Sequence, residues 1–211
     1  EEIFFFFFYQ TQKFNILMDC PLHLEGINNI LAELKTLFLE FKIIPYQLKE
    51  RKGECKSVII TKSDTTNEMM IRFVLRSKES LDRLKKMAIK LQLLNQAVKV
   101  CSANIQPIHA AILEGDEEII LTDSESINHI YDDFKIHLGV RSFFQVNSEI
   151  ARKLYKSAEQ LLKDKKIKNL LDLYCGVGAF SFYLSKSVEN ILGVEISEKA
   201  ISYANITKRN H

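Results

Sequence analysis

The chain has 211 residues, 46 % hydrophobic and 27 % charged, with a formal net charge of +2. That is the composition of a folded chain able to bury a core, and its whole-chain charge balance points to no nucleic-acid partner, so any phosphate contacts must come from a local basic face. Its four cysteines stand far apart with no CxxC pair, which argues against a secreted disulfide framework and for reduced thiols in a cytoplasmic protein. No apolar run approaches the roughly 20 residues that cross a bilayer, so no membrane partner is expected.

In chain order, the first stretch "EEIFFFFFYQTQKF" has five consecutive phenylalanines. It is too short to span a membrane and lacks the basic start of a signal peptide, so a buried or edge strand is its simplest reading. Residues 1–18 form an atypical N-terminal segment. "HLEGINNILAELKTLFLEFKI" then places Ile27, Ile30, Leu31, Leu34, Leu37, Phe38 and Phe41 at intervals of three and four, the signature of an amphipathic helix. "SVIITKS" and "EMMIRFVLRS" read as strands joined by the turn "SDTTNE". "KESLDRLKKMAIKLQLLNQ" is helical with Ser80 a candidate N-cap, and "VKVCSANIQP" and "EEIILTD" are strands separated by a turn at Gly115 and Asp116. Residues 19–138 therefore read as an α+β domain, with strands in hairpin-like pairs and two helices laid on them.

The remainder, 139–211, has a different rhythm. "SEIARKLYKSAEQLLKD" is a helix starting at a Ser148 N-cap, "NLLDLY" a buried strand, and "GVGAFSFYLSKS" the opening of a helix. "NILGVEI" and "SEKAISYANITKRN" repeat the strand and helix. Strand–helix–strand–helix with a glycine turn after the first strand opens a doubly wound, Rossmann-like α/β sheet. Two parallel strands do not make a stable sheet of that kind, so this domain is expected to be cut short.

The glycine turn carries the functional signal. Asp172, Gly176 and Gly178 give D-x-x-x-G-x-G, and Glu195 follows 17 residues after Gly178 at the end of the next strand. Such a turn lets backbone approach a ligand closely, and the acid can bond both hydroxyls of a ribose. A dinucleotide fingerprint wants glycine or alanine where this chain has Ser181, and it needs room for a pyrophosphate. S-adenosylmethionine carries no phosphate, and Asp172 inside the motif can face the charge at its amino or sulfonium end. The turn is read as a site for S-adenosylmethionine.

"SFFQVNSEIARKLYKSAEQLL" followed by "LLDLYCGVGAFSFYLSKSVENILGVEISEKAISYA" resembles the RNA uracil-C5 methyltransferase family. "CPLH", "RKGECKSVIIT", "MMIRFVLRS", "SANIQPIHAAILEGDEEIIL" and "RSFFQVN" resemble the branch that methylates 23S ribosomal RNA and carries a [4Fe-4S] cluster. The likeness runs from Asp19 to His211. It implies that Gln145 contacts the methionine part of the cofactor, that Tyr174 lies against it at the turn, and that Glu195 holds the ribose. It implies too that Cys20 is one of four cluster-ligating cysteines, the other three lying outside this sequence. The expected protein is a monomer acting on 23S ribosomal RNA.

In the chemistry the family implies, a cysteine thiolate adds to C6 of uracil, the enolate takes the methyl group, and a base removes the C5 proton. Cys175 sits inside the cofactor turn, where a small soft side chain packs under a loop, and Cys55 and Cys101 lie on or beside apolar strands, so all three read as structural. The resemblance places the nucleophile and base beyond His211, and this chain alone is expected to be inactive or at most to bind RNA. For that contact "KERKGECK" supplies Lys49, Arg51, Lys52 and Lys56, with Arg72 and Arg76 alternating out of a strand and Tyr46 or Phe73 available for stacking.

Overall fold

The structure is a computed structural model that describes residues 6–8, 13–15, 23–109, 112–132, 134–145, 147–163 and 165–210. Cys20 lies outside the described residues. Near the start, β1 (Phe6–Phe8) pairs antiparallel with β2 (Lys13–Asn15). The chain divides into two compact units, one of residues 1–62 and 69–124, the other of residues 63–68 and 125–211.

The first unit contains α1 (Ile27–Glu40), β3 (Cys55–Lys62), β4 (Met69–Leu75), α2 (Leu81–Leu94), β5 (Val98–Ile105) and β6 (Glu117–Ile120). Its sheet runs β3-β4-β5-β6. The expected hairpins exist at β3–β4 and β5–β6, but β4 and β5 are parallel, with α2 as the crossover between them. Parallel neighbours need such a long connection, and the helix between the two strands is what precludes a hairpin there. All seven residues of β4 are buried, as befits a strand with a neighbour on each edge. Ile71, Phe73 and Leu75 point into the core with Ile30, Leu34, Leu37, Leu84, Met87 and Leu91 of the helices. Each such side chain contributes about 1.5–3 kcal/mol by leaving water.

Period-two alternation turns Arg72 to the other face, where it is 5 % exposed. Arg72 and Phe73 are therefore not the outward-facing RNA contacts expected from the sequence. Ser80 stands at the α2 cap position but makes no side-chain cap bond, because its backbone is not extended there (φ −89°, ψ 0°).

The second unit holds the hairpin β7 (Ser126–Tyr131) and β8 (Phe134–Gly139), then α3 (Ser148–Lys163), β9 (Asn169–Leu173), α4 (Ala179–Leu184), β10 (Asn190–Val194) and α5 (Glu198–Arg209). The hairpin, which the sequence placed in the first domain, belongs here because α5 packs on it. A Cβ at Gly139 would stand 2.1 Å from the Tyr203 ring, so the bare backbone of β8 is the seat for that ring. The N-cap of α3 is Asn147, whose Oδ1 accepts the Ile150 N–H at 3.0 Å; Ser148 instead donates to Asp64 at 3.1 Å.

β9 and β10 are parallel, with Leu171 opposite Leu192 and Leu173 opposite Val194. Those four side chains share one face of the pair and all are exposed.

His129 is fully buried between the rings of Tyr131 and Phe144, with Nδ1 3.1 Å from Ser63 Oγ. Burial pushes its pKa down to about 4. The unfolded chain titrates near 6.5, so as pH falls from about 6.5 to 4 the unfolded state takes up the extra proton and stability drops, by roughly 3 kcal/mol at the acid end. Calorimetry across that window should show a falling Tm, and His129→Asn should flatten the slope.

Candidate functional site

The turn after β9 is built from three left-handed positions at alternate residues: Tyr174 (φ 63°), Gly176 (φ 57°) and Gly178 (φ 83°). Glycine adopts that conformation freely, whereas tyrosine does so at about 1–3 kcal/mol, a strain that concentrates at ligand sites. Tyr174 is also 87 % exposed, an aromatic ring held out from the turn. A Cβ at Gly176 would meet no atom within 4 Å, so this side of the turn is open to a ligand. At Gly178 a Cβ would stand 2.8 Å from Phe182 Cε2, and here the glycine lets α4 begin close beneath the turn.

Glu195 closes the site from the neighbouring strand. Its Oε2 accepts the Gly176 N–H at 3.0 Å and its Oε1 the Ser197 N–H at 2.9 Å. The backbone bonds from Ser197 and Gly176 hold the carboxyl below its ordinary value, so it is ionised over the neutral range. Asp172, the last acid before the turn, accepts the Ser181 hydroxyl at 2.5 Å. The structure thus brings together Asp172, Tyr174, Gly176, Gly178 and Glu195. Gln145 lies exposed on the segment before α3, in the same unit.

Cys175 has a defined seat in this turn. Its N–H bonds Val194 O at 3.1 Å, and its Sγ would lie 2.8 Å from a Cβ at Gly193. Gly193 is the residue beside Asp172 in the strand pair, so the sulfur fills space that a side chain on β10 would need. Burial and the charges of Asp172 and Glu195 raise the Cys175 pKa, the opposite of what an attacking thiolate requires. Burial also pushes the thiols of Cys55 and Cys101 up to about 12. Gly193→Ala is expected to cost about 1–3 kcal/mol by overpacking. Adding Cys175→Ala should recover a substantial part of that loss in thermal melts, since the sulfur is the nearest obstacle.

The basic residues singled out for RNA all lie in the first unit. Arg51, in the left-handed region (φ 53°), and Lys52 are exposed in the segment between the backbone bridges Pro45–Cys55 and Gln47–Lys52. Arg76 is half-buried and 3.4 Å from Glu79. Lys56 is more committed: its Nζ donates to Gln106 and to Ile108 O (2.7 Å) and stands 5.2 Å from the Tyr46 ring centroid. Tyr46 in turn meets His109 Nδ1 at 3.0 Å.

Among the described residues no group of three or more His, Cys, Asp or Glu could hold a metal ion. Cys55, Cys101 and Cys175 are separate free thiols, so the described cysteines do not fit a [4Fe-4S] centre. No helix among the described residues is long and apolar enough to cross a membrane.

A parallel strand pair with a left-handed glycine turn, a short helix under it and an acid clamped at the next strand end defines the opening of a Rossmann-like α/β fold. The model of the tRNA (uracil-5-)-methyltransferase family matches residues 1–210, and the chain belongs to that family. It is 38 % identical over 188 residues to the 23S rRNA (uracil(747)-C(5))-methyltransferase RlmC of Xenorhabdus nematophila, covering 89 % of this chain and 50 % of the relative. RlmC of Vibrio vulnificus is 38 % identical over 191 residues, with 90 % and 51 % covered. The chain thus spans about half the length of the curated relatives it matches. Its fold is that of the Pyrococcus abyssi tRNA (uracil-54, C5)-methyltransferase solved with S-adenosyl-L-homocysteine, at a TM-score of 0.77 and 24 % identity, over 94 % of this chain and 47 % of that one.

The residue missed at the sequence level is Ser181. It registers there only as a departure from the dinucleotide fingerprint, and the signal that could have found it is its place three residues after Gly178, on the first turn of α4 above Asp172.

Proposed function

We propose that this chain carries the cofactor turn and the RNA-facing unit of an S-adenosylmethionine-dependent methyltransferase acting on uracil C5 of 23S ribosomal RNA. The observation that carries this is the Glu195 carboxylate, tied to the Gly176 and Ser197 amides at the rim of a turn that opens at Gly176. Glu195 would hold the two ribose hydroxyls, Asp172 the positive amino-acid end, and Tyr174 would lie along the cofactor with Gln145 at its methionine part. The bound cofactor supplies an electrophilic methyl group. Every other element here binds and orients.

Arg51 and Lys52, with Arg76 and Lys56 nearby in sequence or strand, would track phosphates, which positions RNA without reading its sequence. The first unit would serve recognition and the second the cofactor. The [4Fe-4S] cluster belongs to the same proposal as a feature of a longer polypeptide in which Cys20 joins three further cysteines. So do the cytoplasmic setting and the monomeric state. A second reading is a chain that binds RNA without transferring methyl groups; retained RNA affinity with no methyl transfer would favour it.

Calorimetric titration of the full chain with S-adenosylhomocysteine and with NAD tests the site. Binding of the first and not the second supports the proposal, whereas preference for NAD overturns it. Titration with a 23S ribosomal RNA hairpin, before and after Arg51→Glu and Lys52→Glu, tests the RNA face. Weaker binding and a shallower salt dependence are expected.

A further inference from the structure

We infer that Ser181 is a positioning residue that sets the orientation of Asp172 toward the positive amino-acid end of the cofactor; this rests on the reading of the glycine turn given above. Asp172 is the penultimate residue of β9, beneath the turn, and its partner across the parallel pair is Gly193. With no side chain at 193, space opens beside the carboxylate. Two groups occupy it. Cys175 Sγ would stand 2.8 Å, and Ser181 Oγ 3.8 Å, from a Cβ at that glycine.

The hydroxyl arrives from the first turn of α4 and donates to Asp172 Oδ2 at 2.5 Å, the short end of O–H···O bonds. Such a bond fixes both the side-chain torsion and which oxygen is committed. Oδ1 accepts no hydrogen bond from a described residue and is left for a cationic donor. Glycine or alanine at 181, as a pyrophosphate-binding turn requires, would release the carboxylate to rotate and would remove its only hydroxyl donor among the described residues. Ser181 is thus a specificity device: one side chain that keeps an acid aimed at a cation and marks the turn as unsuited to a pyrophosphate.

The test compares two ligands on the full chain by calorimetric titration. S-adenosylhomocysteine carries the α-ammonium group, and 5′-methylthioadenosine lacks the amino-acid end altogether. Ser181→Ala is expected to weaken S-adenosylhomocysteine about tenfold, the scale of one hydrogen bond to a charged group, and to leave 5′-methylthioadenosine unchanged. Ser181→Thr, which keeps the hydroxyl, should restore the difference. Equal weakening of both ligands, or no change in either, overturns the inference and assigns the contact to packing of α4. Failure of the unsubstituted chain to bind either ligand removes the site reading itself, and this inference with it.

Discussion

Replacing Arg72 with alanine is expected to destabilise the first unit by about 3–5 kcal/mol, the loss found when one partner leaves a buried ion pair. The guanidinium meets Glu118 at 3.1 and 2.8 Å and Glu114 at 3.1 and 2.8 Å, bidentate to both. Ser102 and Asn104 add bonds to Glu118 at 2.6 and 2.9 Å. Without Arg72 the largely buried Glu118 keeps its desolvation and loses its charge partner. Lysine would restore a point charge but not the fork, so Arg72→Lys should fall between the two.

The pH dependence follows from the same group. Burial raises the Glu118 pKa, but the bonds from Arg72, Ser102 and Asn104 outweigh it and the net value is lowered. A depressed carboxylate contributes stability that is present above its unfolded pKa and lost as pH falls through the folded value. The parent chain should therefore hold this contribution at neutral pH and lose it only below the ordinary carboxylate range. In Arg72→Ala the burial cost acts alone, and acid unfolding should begin at higher pH. Urea titrations at pH 4 and pH 7 read both effects.

Glu195→Ala should reduce affinity for S-adenosylhomocysteine by tenfold or more, on the scale of charge-assisted hydrogen bonds, with little change in Tm because the side chain is only half-buried. Two losses coincide in this variant. On the proposed reading the ligand loses its ribose acceptor, and the Gly176 amide loses the bond that holds the turn in shape. Glu195→Gln keeps one carbonyl acceptor and should fall between. Because the backbone bonds lower the Glu195 pKa, binding should persist to below the usual carboxylate range and then fail as the acid protonates. A Tm drop as large as the affinity loss would recast Glu195 as purely structural.

What the sequence disclosed was set by distance along the chain. The helices show because Ile30, Leu34, Leu37 and Phe38 recur within a few turns, and the glycine turn shows because Asp172, Gly176 and Gly178 fall within one short stretch. Glu195 is legible from the same strand–helix–strand rhythm. The Arg72 cluster joins residues 42 and 46 positions apart, and Ser63 meets His129 across 66. Those contacts depend on strand register, which periodicity does not encode. For the same reason alternating Arg72 and Phe73 read as outward and stacking residues, when flanking strands on both edges bury the whole of β4. The parallel β4–β5 pair was hidden because a strand carries no mark of its partner's direction.

The bare face of the β9–β10 pair bears on how this chain behaves at the bench. Leu171, Leu173, Leu192 and Val194 stand in two registered rows facing water, with Ile196 94 % exposed beyond them. Such a surface will take up environment-sensitive dyes while the backbone is fully folded. A bright anilinonaphthalene signal from this 211-residue chain at rest will therefore report a sticky sheet rather than a molten chain, and dye-based melting curves will start from a high baseline. Far-ultraviolet dichroism, blind to that face, is the probe on which the stability changes described above should be read.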